Sequence, residues 1–203
     1  STRLRRVRNS DWVRRLISEN NLSANDLILP IFLTEGKNKK EKIKTMPGIY
    51  RYSLDKLSSI LDEAEKFKIP MIALFPNTSN RQRDHNGSEA LNENNLVCRA
   101  IKLIKKKYNK FGVMTDVALD PYTSHGHDGI ILNGKIDNDE TLKILEKQAL
   151  LQASVGSDVI APSDMMDGRI GIIRKCLDKK KLKDTQILSY AVKYASNFYG
   201  PFR

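Results

Sequence analysis

The chain has 203 residues, of which 40% are hydrophobic and 29% are charged, so it is long enough to fold around one substantial core. No stretch approaches the roughly 20 consecutive apolar residues of a membrane-spanning helix, and the arginine-rich start lacks an apolar signal-peptide core. The formal net charge of +11 is compatible with nucleic acid, membrane surfaces or anionic small molecules as partners. Because the basic runs are scattered and accompany no recognition motif, they favour solvated helix faces over specific nucleic-acid binding.

The two cysteines, Cys98 and Cys176, lie far apart in segments that are predicted to be helices. Their spacing fits neither a disulfide framework nor a zinc motif. A reducing compartment, the cytoplasm, is therefore the expected location. No glycine-rich phosphate-binding loop follows a predicted strand, so nucleotide binding has little support.

Residues 1–25 are predicted to form a basic N-terminal arm, and residues 26–203 the main domain. Within the arm, segment 11–17 is predicted to be a short amphipathic helix, with Trp12 and Leu16 among its apolar contacts. Such an arm buries little surface by itself. It is expected to dock on another subunit, and a nucleic-acid-binding tail is the alternative.

Strand-like and helix-like segments alternate along the main domain. Strands are predicted at 26–33, 71–75, 111–119, 157–161 and 185–194, and helices at 54–67, 94–107, 140–155 and 166–177. The pattern is typical of an α/β protein, either a βα barrel or an open doubly wound sheet. Pro30 predicts a bulge or an end in the first strand. Ser53 is predicted to cap the first of these helices, and Ser163 with Asp164 the last.

Lys193 lies near the end of the last predicted strand, between Val192 and Tyr194. A lysine in apolar surroundings loses hydration, which disfavours the ammonium form and lowers its pKa. A neutral amine can attack a carbonyl carbon and form a Schiff base. The alternative is a strand-end lysine whose ammonium group simply reaches water.

The densest set of polar residues follows the third predicted strand, from Asp116 to Gly129. It contains two histidines and three aspartates, among them Asp120 and Asp128. Oxygen ligands with imidazole suit magnesium or manganese better than zinc. The alternative is a polar loop in which aspartate, serine and glycine make turns.

Ser163 and Asp164 follow the fourth predicted strand. They could orient a substrate at a helix N-terminus, which attracts anions, or they could act only as an N-cap. In either α/β architecture the carboxyl ends of the strands form the active-site face. These residues, Asp116 and Lys193 are therefore expected to lie together.

Three long motifs are specific when they are taken together. They are Asp116–Gly129 (DVALDPYTSHGHDG), Ala161–Ile170 (APSDMMDGRI) and Ser189–Arg203 (SYAVKYASNFYGPFR), with shorter matches at 14–16, 29–32 and 46–48. In this order they closely resemble the porphobilinogen synthase family, also called the δ-aminolevulinate dehydratases. The resemblance extends from about residue 3 to residue 203.

The resemblance implies a TIM (β/α)8 barrel with an N-terminal arm, of which this chain supplies about the first five β/α units. It implies condensation of two 5-aminolevulinate molecules to porphobilinogen, a step of tetrapyrrole and heme synthesis, in a homo-octamer assembled through the arms. Lys193 matches the first of the family's two Schiff-base lysines. Arg203 matches an arginine that holds a substrate carboxylate, and Asp116 and Ser163 match residues that line the substrate site.

The chain departs from the zinc-dependent members of that family. Those members carry three cysteines where this chain has Ala118, Asp120 and Asp128. The resemblance is therefore to the aspartate-rich bacterial type, which responds to magnesium. It implies magnesium rather than zinc, either at Asp120 and Asp128 or at an allosteric site.

The chain ends at Arg203 after five predicted strands, whereas an eight-stranded barrel usually needs about 250 residues. The family's second Schiff-base lysine and its lid lie beyond this position. The expectation is a C-terminally truncated porphobilinogen synthase chain that is inactive alone. The alternatives are a non-catalytic subunit that binds partners and, with less support, a basic nucleic-acid-binding protein.

Overall fold

The computed structural model describes residues 2–194, which form a seven-stranded sheet, a separate two-stranded sheet and five α-helices. The strands are β1 (Ile28–Thr34), β2 (Lys40–Lys42), β3 (Tyr50–Tyr52), β4 (Met71–Asn77), β5 (Gly112–Val117), β6 (Ile130–Leu132), β7 (Lys135–Asp137), β8 (Val159–Pro162) and β9 (Gln186–Ile187). The α-helices are α1 (Asp11–Leu16), α2 (Leu57–Lys66), α3 (Leu96–Lys107), α4 (Asn138–Ser154) and α5 (Arg169–Lys179). Among these described residues, no helix has the length and apolar composition needed to cross a membrane.

The main sheet has the strand order β2-β3-β1-β4-β5-β8-β9. From β1 to β9 all neighbours are parallel and follow one another in chain order, and the antiparallel pair β6 and β7 lies outside this sheet. A doubly wound sheet would reverse its strand order at a switch point. No reversal occurs among the strands that the structure describes. The fold is α/β, and the carboxyl ends of its parallel strands meet at one edge.

Alternate residues of each strand point to opposite faces of the sheet. The residues that point to one of these faces pack against helices. Leu33 and Leu74 belong to a cluster with apolar residues of α2 and α3. Val117 and Ile160 belong to a second cluster, with apolar residues of α4 and α5. Each fully buried leucine or isoleucine of this kind stabilises the fold by about 1.5–3 kcal/mol through the hydrophobic effect.

The opposite face carries a smaller apolar cluster, which consists of Ala73, Met114, Val159 and Ala161, with Met71, Phe75, Leu188 and Tyr190 partly buried against it. No described α-helix contributes a residue to this cluster. Asp116 points to the same face, because it lies two residues after Met114 in β5. This face is therefore apolar along the strands and becomes acidic at their carboxyl ends.

The first strand differs from its prediction. β1 pairs with β4 over its whole length, but it pairs with β3 only at Phe32 and Leu33. Pro30 therefore lies where β1 has one neighbouring strand, which accommodates a residue without an N–H and needs no bulge. The lysine-rich loop predicted after β1 contains β2, which forms an antiparallel pair with β3.

The predicted helix caps at Ser163 and Asp164 are wrong, and the one at Ser53 is confirmed in position only. Ser53 precedes the short 3-10 turn Leu54–Lys56 that leads into α2, and its carbonyl oxygen accepts from the backbone N–H of Lys56 at 2.9 Å. Its side chain makes no cap bond, and its Oγ instead accepts a hydrogen bond from the backbone N–H of Lys39 at 2.9 Å. Helix α5 begins after Gly168, with no side-chain cap. Asp164 instead closes the preceding turn, where its Oδ1 accepts from the backbone N–H of a residue two positions later at 2.8 Å.

The basic arm contains α1, and the apolar residues of α1 are not buried within residues 2–194. Trp12 is 63% exposed and Leu16 is 75% exposed. Burial of large apolar side chains lowers the free energy, so this exposed surface is suited to contact with a partner. The division between arm and main domain at residue 25 stays a prediction.

Candidate active site

The candidate site is built at the carboxyl ends of β5 and β8. Asp116 lies in β5, and Ser163 follows β8 directly. Beyond β9 the chain continues along β8, because the backbone N–H groups of Leu188 and Tyr190 donate to β8 carbonyl groups at 2.9 and 3.3 Å. This pairing brings Lys193 to the same edge of the sheet.

The amine of Lys193 contacts two oxygen atoms from different segments. Its Nζ donates to the carbonyl oxygen of Ser163 at 3.0 Å and lies 3.3 Å from Oδ2 of Asp128. The predicted apolar strand around the lysine is wrong, because β9 ends at Ile187 and Val192 is 62% exposed. In the ion pair with Asp128, the ammonium group must release a proton before the nitrogen can act as a nucleophile.

Asp116 carries a carboxyl group whose pKa is raised towards neutral pH. The residue is half-buried, and its Oδ1 atom is buried without a hydrogen-bond partner among the described residues. Burial raises the pKa of Asp116 to about 6, the hydrogen bond from Ser163 opposes this rise, and the negative charge of Asp128 adds to it. A carboxyl group with such a pKa can donate or accept a proton near neutral pH.

Asp120 and Asp128 form a second carboxyl pair beside the lysine. Burial and then the negative charge of Asp128 raise the pKa of Asp120 well above its ordinary value, and a hydrogen bond between the two carboxyl groups acts in the same direction. Two carboxylates that share a site cannot both ionise readily. Asp120 therefore holds its proton more tightly than an ordinary aspartate does.

The pair does not fit a metal ion held by this loop alone. Residues 2–194 contain no group of three or more His, Cys, Asp or Glu side chains arranged to hold a metal. Asp128 already contacts Lys193, and the raised pKa of Asp120 makes that carboxyl group a weaker metal ligand. The assignment of a metal to Asp120 and Asp128 stays a prediction, and no catalytic step is derived through one.

The two histidines of the loop contact the loop itself. His125 Nδ1 accepts from the backbone N–H of His127 at 3.1 Å, and its Nε2 lies 3.2 Å from the carbonyl oxygen of His85. Thr123 Oγ1 donates to the carbonyl oxygen of His127 at 2.9 Å. For this part of the loop, the turn-forming interpretation is the one that the contacts match.

Two residues near the lysine were not found by sequence reasoning. The guanidinium group of Arg169 donates to the carbonyl oxygens of Tyr190 and Met166, each at 3.1 Å, and its Nε lies 3.3 Å from Oδ2 of Asp164. Burial, and then the charge of Asp116, raise the pKa of the Tyr190 hydroxyl. The sequence feature that could have indicated a role for both residues is that each lies within one of the long motifs. Without the motif, an arginine at the start of a helix predicts a surface position.

The structure brings five of the six predicted site residues into one cluster. Arg203 lies outside the described residues, and its contact with a substrate carboxylate stays a prediction. The five residues in the cluster are Asp116, Asp120, Asp128, Ser163 and Lys193.

The sheet has parallel strands in chain order, and a lysine and acidic groups lie at the carboxyl ends of these strands. This arrangement places the chain among the α/β proteins whose reactive site lies at the carboxyl ends of the strands. The family model described as delta-aminolevulinic acid dehydratase matches residues 1–203. The chain belongs to the delta-aminolevulinic acid dehydratase family.

Individual relatives agree with this assignment. The delta-aminolevulinic acid dehydratase of Bradyrhizobium diazoefficiens is 56% identical over 201 residues, which are 99% of this chain and 57% of that protein. The one of Ruminiclostridium josui is 46% identical over 201 residues, which are 99% of this chain and 97% of that protein. The crystal structure of the Toxoplasma gondii ME49 enzyme in complex with its reaction product porphobilinogen matches with a TM-score of 0.96 and 41% identity, over 100% of this chain and 58% of that one. The chain thus spans little more than half the length of two of these relatives.

Proposed function

We propose that the protein acts as a porphobilinogen synthase that condenses two 5-aminolevulinate molecules through lysine Schiff bases. The observation that carries this proposal is the position of Lys193, whose Nζ lies 3.3 Å from the Asp128 carboxylate at the carboxyl edge of the sheet. The similarity to an enzyme whose structure contains porphobilinogen supports the same product. Lys193 is proposed as the catalytic residue.

In the proposed first step, the keto carbon of 5-aminolevulinate accepts the nitrogen of Lys193, and the oxygen leaves as water. The lysine proton passes to Asp128, the nearest carboxylate among its described contacts. Asp116, with its raised pKa, is suited to supply the proton that the departing oxygen needs. Proton transfers of this kind each accelerate a reaction by about 10²–10⁴-fold. Arg203 and Ser163 are proposed to hold the substrate.

We propose that the main domain forms about the first five β/α units of a (β/α)8 barrel. The sequential parallel strands and the helices that pack on one face support this architecture, and the apolar cluster on the other face would lie inside the barrel. We further propose a cytoplasmic homo-octamer assembled through the arm of residues 1–25. The exposed side chains of Trp12 and Leu16 support the docking of the arm.

We propose magnesium rather than zinc as the metal that the intact enzyme uses. Position 120 carries an aspartate, and burial in α3 raises the pKa of the Cys98 thiol to about 11, which keeps it from acting as a thiolate ligand. The activity of the intact enzyme is expected to survive a zinc-selective chelator and to rise when magnesium is added. Activity that the chelator removes and only zinc restores would contradict the aspartate-type assignment.

The proposed activity has a direct assay. The intact protein that contains this chain is expected to convert 5-aminolevulinate into porphobilinogen, which is followed by a colorimetric reaction specific for the pyrrole product. A blank without protein provides the background. Folded protein that produces no more colour than the blank, with magnesium present, would favour the non-catalytic alternative.

A further inference from the structure

We infer that Arg169 is a positioning residue, which holds the chain segment that carries Lys193 at the correct place for Schiff-base formation. The inference rests on the proposed function and adds a residue to it. Arg169 is the first residue of α5, and its side chain is only 16% exposed. Its guanidinium group links the turn after β8 to the segment after β9, through the carbonyl oxygens of Met166 and Tyr190.

The described segment that carries the lysine is held to the sheet by short backbone pairing and by the packing of Leu188 and Tyr190 on the apolar cluster. β9 contains two residues, and beyond it, within described residues 188–194, the backbone N–H groups of Leu188 and Tyr190 donate to β8, the second of them at 3.3 Å. Val192 and Tyr194, on either side of the lysine, are 62% and 79% exposed. The bond from Arg169 to Tyr190 lies three residues before Lys193 and is therefore the described side-chain contact best placed to fix its approach.

The same guanidinium group also holds the turn that contains Ser163, the residue whose carbonyl oxygen accepts from Lys193. The turn after β8 begins with Ser163, whose carbonyl oxygen accepts from Lys193. Asp164 closes this turn and faces Arg169 Nε at 3.3 Å with a fully buried side chain. A planar guanidinium group can serve two carbonyl oxygens and a carboxylate at once, which a lysine ammonium group at the same place cannot do in the same geometry.

Arg174 provides a matched control within the same helix. Its guanidinium group donates to the carbonyl oxygens of Thr185 at 2.6 Å and Leu182 at 3.0 Å, and it pairs with Asp178. It therefore fastens the chain to α5 in the same manner as Arg169. Thr185 directly precedes β9, so this second attachment is at the amino end of the strand, away from Lys193.

The test compares Arg169→Gln, Arg169→Lys and Arg174→Gln in the intact enzyme. Two quantities are measured per folded molecule: turnover to porphobilinogen, and the rate at which borohydride traps 5-aminolevulinate on Lys193, followed by peptide mass spectrometry. Arg169→Gln is expected to slow both by about tenfold to a hundredfold, because a displacement of about 1 Å at a reacting group costs up to 10²-fold. Arg169→Lys is expected to recover only part of the loss, and Arg174→Gln is expected to retain both rates within about twofold.

A second measurement separates positioning from general destabilisation. Amide hydrogen exchange in segment 188–194 is expected to accelerate in Arg169→Gln and in Arg169→Lys, and to stay unchanged in Arg174→Gln, even where the two glutamine variants lower the melting temperature equally. Should Arg169→Gln fail to fold, Arg169→Lys carries the same comparison with the charge kept.

The inference is overturned if both Arg169 variants trap substrate on Lys193 and turn over within twofold of the wild type, or if Arg174→Gln loses as much as Arg169→Gln. Either result, with an active wild type, leaves the proposed function standing. A wild-type protein that neither makes porphobilinogen nor traps substrate overturns both, because there is then no Schiff base to position.

Discussion

Lys193→Arg in the intact enzyme is expected to lower turnover to porphobilinogen by about a thousandfold or more, because a guanidinium group does not form the Schiff base. The substitution keeps a positive charge opposite Asp128 and a donor near the carbonyl oxygen of Ser163, so the fold is expected to persist. The measurement is the initial rate of product formation, with the melting temperature recorded in parallel.

The matched control is Lys110→Arg. The side chain of Lys110 is 70% exposed and pairs with Glu65 at 3.4 Å. Lys110 precedes the amino end of β5, whereas the site lies at the carboxyl end of that strand. This variant is expected to retain turnover within about twofold, since exposed ion pairs contribute little. If Lys193→Arg kept more than about a tenth of the wild-type rate, Lys193 would be only an ion-pairing residue.

Asp116→Asn is expected to abolish most of the turnover and, at the same time, to stabilise the protein above about pH 6. Burial raises the pKa of Asp116 from 3.8 to about 6, so the folded chain holds this proton more tightly than the unfolded chain does. Well below pH 3.8 the group is protonated in both states and contributes nothing. As the pH rises towards 6, the unfolded chain ionises first, and the free energy of unfolding falls by up to about 3 kcal/mol.

Asparagine cannot ionise, so the variant escapes this loss. Denaturant unfolding is expected to give equal stability for wild type and Asp116→Asn at about pH 2.5 and a higher free energy of unfolding for the variant at pH 8. The exposed Asp184→Asn is the control, and it is expected to show no gain. A variant that is no more stable than the wild type at pH 8 would show that the Asp116 carboxylate is not penalised in the folded state. The loss of turnover, at least about a hundredfold, tests its proposed role as a proton donor.

The main strands and helices were predictable because each carries its own apolar pattern. β4, β5 and β8 are short apolar runs, and α2 and α3 repeat apolar residues at helical spacing. β2 was not predictable, because its three residues alternate lysine with glutamate and become a strand only through pairing with β3. The pair β6 and β7 was missed for a related reason, since three-residue strands depend on partners rather than on local preference.

The last strand shows the opposite error. The apolar run at 185–194 predicted a long buried strand, whereas β9 ends at Ile187. An apolar run shows that a segment suits a sheet, but strand length is set by the neighbour that is available to pair. Within described residues 188–194, β8 accepts two further backbone hydrogen bonds, from the N–H groups of Leu188 and Tyr190.

The candidate site was predictable as a set of residues and not as a set of contacts. The rule that strand carboxyl ends share one edge placed Asp116, Ser163 and Lys193 together. The ion pair of Lys193 with Asp128 joins residues 65 positions apart, and nothing local in either segment indicates it. The same holds for Arg169 and Tyr190, which are 21 positions apart and meet only because α5 begins beside the segment that follows β9.

Covalent trapping tests most directly whether Lys193 forms the Schiff base. The intact enzyme is treated with borohydride in the presence and absence of 5-aminolevulinate, digested, and analysed by peptide mass spectrometry. A Schiff base reduced in this way leaves a stable secondary amine on the lysine that formed it. A substrate-dependent adduct is expected on the peptide that contains Lys193, and it is expected to be lost in Lys193→Arg. An enzyme that makes porphobilinogen while every trapped adduct lies on other lysines would contradict the proposed role of Lys193.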